Sequence, residues 1–103
     1  MQVADSIDTA IQAKLFHVLG DKTRLEILLT LLSQRGLCVS EITEGIGISI
    51  SGTSQHLRQL EQSGLALRER HGQKICYVPN EDNPQAQAIF TYLEQLNKEE
   101  INE

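Results

Sequence analysis

Ser49-Ile-Ser-Gly-Thr-Ser-Gln-His-Leu-Arg-Gln-Leu60, followed by Ala66-Leu-Arg-Glu-Arg-His-Gly-Gln-Lys-Ile-Cys-Tyr-Val78, sets the architecture of this chain. In the first segment Leu57 and Leu60 stand three apart, with Ile50 and Thr53 on the same general side, so one face of a helix packs inward. The opposite face carries Ser51, Gly52, Gln55 and Arg58. These short or forked hydrogen-bonding groups allow a helix to lie deep in a major groove. Gly64 ends the helix, and the second segment alternates about a His71-Gly72 turn, which predicts a hairpin with strands Ala66–Arg70 and Lys74–Val78. Upstream, Ser40 is expected to cap a short helix from Glu41 to about Gly45, with Ile42 and Ile46 inward. Gly47-Ile48-Ser49 is the turn, and Ser49 caps the next helix. From Ser40 to Tyr77 the order is thus a helix-turn-helix followed by a basic wing.

Toward the N-terminus, Ile7, Ile11, Leu15, Val18 and Leu19 recur at helical period and predict a first helix over about Asp5 to Leu19. Asp21 is placed to cap a second helix carrying Leu25, Leu28, Leu29 and Leu32 to about Gln34. Leu37-Cys-Val39 is a short extended segment or the first turn of the third helix. Pro79 cannot donate to a ladder and ends the second wing strand. Asn83 and Pro84 fit the cap and first position of a last helix to about Asn97, burying Ala86, Ile89, Phe90, Leu93 and Leu96. The expected fold is mainly α, a winged helix-turn-helix of about five helices plus a two- or three-stranded β-wing. It forms one domain over residues 1–103. The terminal helices, about 5–19 and 83–97, are left to pair with each other and with a second copy, making a homodimer. Two recognition helices one DNA turn apart then read a palindrome.

Composition is compatible with this reading. The 103 residues make one domain with a modest core, 40% apolar, of a size that often gains stability by dimerising. No apolar run is long enough to span a bilayer. Met1-Gln-Val-Ala-Asp-Ser6 lacks the basic and apolar regions of a signal peptide, which predicts a cytoplasmic protein with reduced cysteines. The net charge of −5 argues at first against a nucleic-acid partner, but its distribution reverses the inference. Between Ser51 and Cys76, Arg58, Arg68, Arg70 and Lys74 face only Glu61 and Glu69, whereas six carboxylates from Glu81 to Glu103 face Lys98 alone. A local basic patch decides where a phosphate backbone docks.

Leu19-Gly-Asp-Lys-Thr-Arg-Leu-Glu-Ile-Leu28, Leu37-Cys-Val-Ser-Glu-Ile42, Ser51-Gly-Thr-Ser-Gln-His-Leu57, Ser63-Gly-Leu65 and the wing Gly72-Gln-Lys-Ile-Cys-Tyr-Val78 together resemble the ArsR/SmtB-type winged-helix repressors. The resemblance covers about residues 12 to 97. It implies a homodimer that binds a palindromic double-stranded DNA operator and responds to an inducer. It also implies groove contacts at Ser51, Thr53, Ser54 and Gln55, so that the combined expectation for the groove is Ser51, Thr53, Ser54, Gln55 and Arg58. Arg68, Arg70 and Lys74 are expected on phosphates.

The metal sites of the resembled family find only part of their ligands in this chain. Cys38 fits the first ligand of a Leu-Cys-Val segment, but Ser40 stands where a second soft ligand is needed, and residues 1–16 hold neither Cys nor His. The last helix, 83–97, contains no histidine, so the site that family builds there is missing. His17, His56 and His71 show no helical pairing; His56 reads as a structural helix residue and His71 as a turn or phosphate contact. No resident metal or cofactor is expected. Cys38 and Cys76 remain. If Leu37–Val39 runs antiparallel to Ile75–Tyr77 in the right register, both thiols share a face, whereas a one-residue slip parts them. Helix N–H groups beside Cys38 would also favour its thiolate. Three readings stay open: a thiol switch responding to a redox or reactive-sulfur signal, two inert core cysteines, and a two-thiolate site for a soft metal or metalloid. Nothing resembles a hydrolytic triad or a phosphate-binding glycine loop, so an enzyme is not expected. The rival of another class is a winged-helix module that meets a protein on the same surface.

Overall fold

The computed structural model describes residues 7–101, with side chains as far as residue 97. Its elements follow the expected order: α1 (Thr9–Leu19), α2 (Lys22–Gln34), β1 (Leu37–Cys38), α3 (Val39–Ile46), α4 (Ile50–Gln62), β2 (Ala66–His71), β3 (Lys74–Pro79) and α5 (Pro84–Ile101). The three strands form one antiparallel sheet in the order β1-β3-β2. Helices α2, α3 and α4 close over the core: Ile27, Leu28, Leu31, Ile42, Leu57, Leu60 and Leu65 are fully buried. Each methylene removed from water there is worth about 0.8 kcal/mol, and this burial fixes the attitude of α4.

Several boundaries shift, each for a local reason. Helix α1 starts at Thr9 because Asp8 is its cap, its carboxylate accepting from the N–H of Ala10 and Ile11 at 3.1 and 3.2 Å. The expected start at Asp5 lies outside the described residues. Ile7 and Ile11 are exposed within this chain, so the stripe meets the core through Leu15 and Val18, with Leu19 partly buried against it. Leu29 and Leu96 are likewise exposed, while the expected Leu28 and Leu32 are buried and Ile27 and Leu31 join them on the inner face of α2. Cys38, and not Ser40, holds the N-cap of α3: Glu41 reaches back to accept from the Cys38 N–H at 2.9 Å, and Val39 is already helical. Ile50, expected inward, is 64% exposed at the first position of α4. His71 closes strand β2 opposite Lys74, so Gly72 and Gln73 form the tight turn, Gly72 at φ +66°. Pro79 is the last residue of β3, where no N–H is needed, and Asn83 caps α5 by accepting from Gln85 N–H at 3.0 Å. At Asp21, the cap of α2, the Arg24 N–H it accepts holds the carboxyl below its ordinary pKa.

Gly36 joins α2 to the sheet at φ +118°, and a Cβ there would lie 2.7 Å from Val78 Cγ1 and 3.2 Å from the Tyr77 carbonyl oxygen. Gly36→Ala is therefore expected to destabilise the protein by about 2 kcal/mol or more, through backbone strain and the clash together. Gly45→Ala, inside α3 with nothing within 4 Å of the new atom, is the control and should gain about 0.5 kcal/mol. Urea unfolding of both variants checks the pair; equal midpoints would contradict it.

Candidate nucleic-acid interface

Helix α4 is built from its N-terminus. Ser49 Oγ accepts from the Gly52 N–H at 3.0 Å and lies 3.3 Å from Ser51 Oγ. A Cβ at Gly52 would lie 3.1 Å from the capping oxygen, a close contact that a small shift of the Ser49 side chain relieves. With the cap set and Leu57 and Leu60 buried, α4 turns Ile50, Ser51, Gln55 and Arg58 to solvent and leaves Ser54 half-buried. Thr53 is the exception among the expected groove residues. It is 0% exposed, and its hydroxyl donates to the Ser49 carbonyl at 2.9 Å, so it anchors the first turn from inside and presents nothing to a base edge. Its burial follows from helical spacing to Leu57 and Leu60.

Across from α4 stands the wing. The β2–β3 register pairs Arg68 with Tyr77 and Arg70 with Ile75, so both arginines project from one face of the hairpin. Ile50, Ser54 and Arg58 of α4 face Arg68, Lys74 and Ile75 of the wing across an open cleft of about 440 Å³. Arg68, Arg70 and Ile75 line a smaller recess beside it. The structure thus gathers Ser54, Arg58, Arg68 and Lys74 at one cleft, with Ser51 and Gln55 exposed on the same helix. The arrangement offers amide, hydroxyl and guanidinium donors on a helix, with three cations on an adjacent ribbon. On the hairpin His71 Nε2 lies 2.9 Å from Glu69 Oε1.

Two contributors escape sequence reasoning. Ile50 places an exposed apolar group beside the polar ones, a shape suited to a thymine methyl; its position directly after the Ser49 cap is the available signal. Arg24 is 7% exposed on the buried stripe of α2. Its Nε donates to the Val18 carbonyl at 2.6 Å, and its Nη1 donates to Gln59 Oε1 and lies 3.2 Å from His56 Nδ1. A single guanidinium therefore ties the end of α1 to the middle of α4. His56 is accordingly a structural residue of this network.

A disulfide joins Cys38 to Cys76, where reduced thiols were expected. The two residues are direct cross-strand partners in the β1–β3 ladder, the register that puts both side chains on one face. Among the described residues no three His, Cys, Asp or Glu side chains gather as a metal site, and no helix is long and apolar enough to cross a membrane.

A family model described as bacterial regulatory protein, arsR family, matches residues 21–66. The chain is 34% identical over 70 residues to the arsenic resistance transcriptional regulator ArsR1 of Pseudomonas putida, an alignment covering 68% of this chain and 55% of that one. It thus spans little more than half the length of that relative. Identity to the HTH-type transcriptional regulator YgaV of Escherichia coli is 37% over 70 residues, covering 67% of this chain and 71% of that one. Among solved structures, reduced HlyU from Vibrio cholerae superposes with a TM-score of 0.74 at 28% identity, covering 85% of this chain and 90% of that one.

Proposed function

Because the chain belongs to the arsR family of bacterial regulatory proteins, we propose that it is a homodimeric, sequence-specific DNA-binding transcriptional repressor controlled through its two cysteines. The observation that carries the DNA reading is the cleft in which the polar face of α4 meets the cations of the wing. Ser51, Ser54, Gln55 and Arg58 read base edges, and Arg68, Arg70 and Lys74 hold phosphates. The acidic tail of the chain lies elsewhere in the sequence, so binding is local, salt-sensitive and dependent on base contacts for affinity. A cytoplasmic location follows from this partner, and its action is binding and not catalysis. A protein partner on the same surface would leave the paired arginines of the wing without a matching run of phosphates.

The homodimer is supported by the face that α1 and α5 leave uncovered. Phe16 is 70% and Tyr92 60% exposed, flanking an apolar groove of about 600 Å³ lined also by Leu15, Ala88 and Ile89. A second copy on this face, related by a two-fold axis, sets two α4 helices against a palindromic operator.

Control by thiols is supported by the Cys38–Cys76 bond, which ties the start of α3 to the central strand of the wing. A wing bonded to α3 cannot re-aim as DNA docks, whereas a wing held only by its ladder can. Reduced protein is therefore the tight binder, and a redox or reactive-sulfur signal releases the operator. Relatives are named for arsenic and cadmium resistance, and two facing thiolates offer a soft metalloid two ligands. That second reading lacks a third ligand among the described residues.

The test is titration of a fluorescent operator, selected from random DNA, with reduced and with oxidised protein. Oxidation should weaken binding by about 5- to 150-fold, the usual range of a coupling between sites, and Cys38→Ser or Cys76→Ser should abolish the response. Tight binding indifferent to oxidation would retain the repressor and remove the switch.

A further inference from the structure

The two cysteines of the disulfide are not equivalent, and their surroundings assign them different chemical parts. Cys76 is 5% exposed on β3, the central strand, where it is flanked in its own row by Cys38 on one side and Glu69 on the other. Cys38 is half-buried on β1, a two-residue strand at the edge of the sheet that pairs, among the described residues, with β3 alone. It also occupies the N-cap of α3, where Glu41 Oε1 accepts from its N–H at 2.9 Å and its own sulfur makes no capping hydrogen bond. A helix N-terminus stabilises negative charge on sulfur, but the Glu41 carboxylate on the Cys38 N–H opposes it, so the difference between the two cysteines is one of access.

We infer that Cys38 is the site of covalent attack on a low-molecular-weight disulfide, and that Cys76 acts only as the resolving thiol. This rests on the thiol reading above and adds to it the reacting atom and the class of reactant. In the first step the Cys38 thiolate forms an S–S bond to one sulfur of RSSR. The RS–SR bond breaks, and RS⁻ leaves and takes up the proton that Cys38 had released. In the second step Cys76 gives its proton to solvent and its sulfur bonds to Cys38 Sγ. The Cys38–SR bond breaks, and the second RS⁻ leaves and is protonated. The protein loses two electrons and two protons, and RSSR becomes two RSH. Reduction runs the same path backwards: an external thiolate reaches Cys38 Sγ and expels Cys76, because access decides which sulfur is struck.

The ordering is tested with reduced protein and glutathione disulfide, quenched by acid at intervals and followed by intact mass and peptide mapping. Cys76→Ser should accumulate one stable glutathionyl group on Cys38. Cys38→Ser should react at Cys76 at least about tenfold more slowly, since burial denies access, and should recover a normal rate in urea. In the unsubstituted protein the earliest mixed disulfide should map to Cys38, a reading that needs no variant to fold. A first adduct on Cys76, or equal native rates for the two variants, would overturn the assignment. The same samples, added to operator DNA, separate this from the switch. An operator response with Cys76 modified first sinks the ordering alone, whereas Cys38 modified first without an operator response upholds the ordering and sinks the switch.

Discussion

Arg58→Ala and Gln55→Ala are each expected to weaken operator binding by about 1–3 kcal/mol for every base pairing removed, a factor of roughly 5 to 150. Both side chains are exposed on α4, and neither makes a side-chain hydrogen bond among the described residues, so their removal leaves the core intact. Their thermal midpoints should stay within about 4 °C of the parent, since surface substitutions usually shift stability by less than 0.5 kcal/mol. In a homodimer each substitution acts at both half-sites, which enlarges the effect. Arg68→Ala and Lys74→Ala should behave differently, lowering affinity for all sequences alike and reducing the salt slope by about one unit for each phosphate left unneutralised on each protomer. Anisotropy titrations of cognate and scrambled duplexes at several salt concentrations distinguish the two kinds of loss. Unchanged affinity in both α4 variants would remove this helix as the reader.

The second large effect is on stability. Arg24→Ala should cost about 3 kcal/mol, for it removes hydrogen bonds to Val18 and Gln59, orphans a carbonyl in the interior and leaves a cavity. Arg24→Lys should recover only part of this, because an ammonium cannot span the end of α1 and the side chains of α4 in one fork. The functional consequence is separate. Without the guanidinium, the link from the Val18 carbonyl to Gln59 of α4 is lost, and in the proposed dimer the placement of the two α4 helices would lose that support. Operator affinity should therefore fall further than the folded fraction predicts. Denaturant unfolding gives the first number and binding at a temperature where the variant is fully folded gives the second. A loss below about 0.5 kcal/mol would show that the network is dispensable.

Arg24 and Thr53 show where sequence reasoning stops. Thr53 is legible twice, as an inward residue by its spacing to Leu57 and as a groove contact by resemblance. The structure sides with spacing, since helical geometry leaves one direction for a residue four before a buried leucine. Arg24 belongs to a segment that matches the family yet carries no legible task, because a charged side chain on an apolar stripe declares nothing about the partners waiting for it. Its three partners come from 6, 32 and 35 residues away. Ile50, expected inward by its spacing to Thr53, is exposed because a residue in the first turn sits ahead of the buried stripe formed by Thr53, Leu57 and Leu60.

Local rules written into the chain account for the order of helices and strands, the caps at Asp21, Ser49 and Asn83, the hairpin, and the concentration of cations in the wing. Periodicity, capping chemistry and turn preference act over a few residues, so they survive without a third dimension. Three features needed the folded molecule: the β1–β3 register that joins Cys38 to Cys76, the cleft uniting Arg58 with Arg68 and Lys74, and the burial of Arg24. Each of these depends on which face meets which across a long stretch of chain. A one-residue slip in the ladder would have carried the two sulfurs to opposite sides of the sheet.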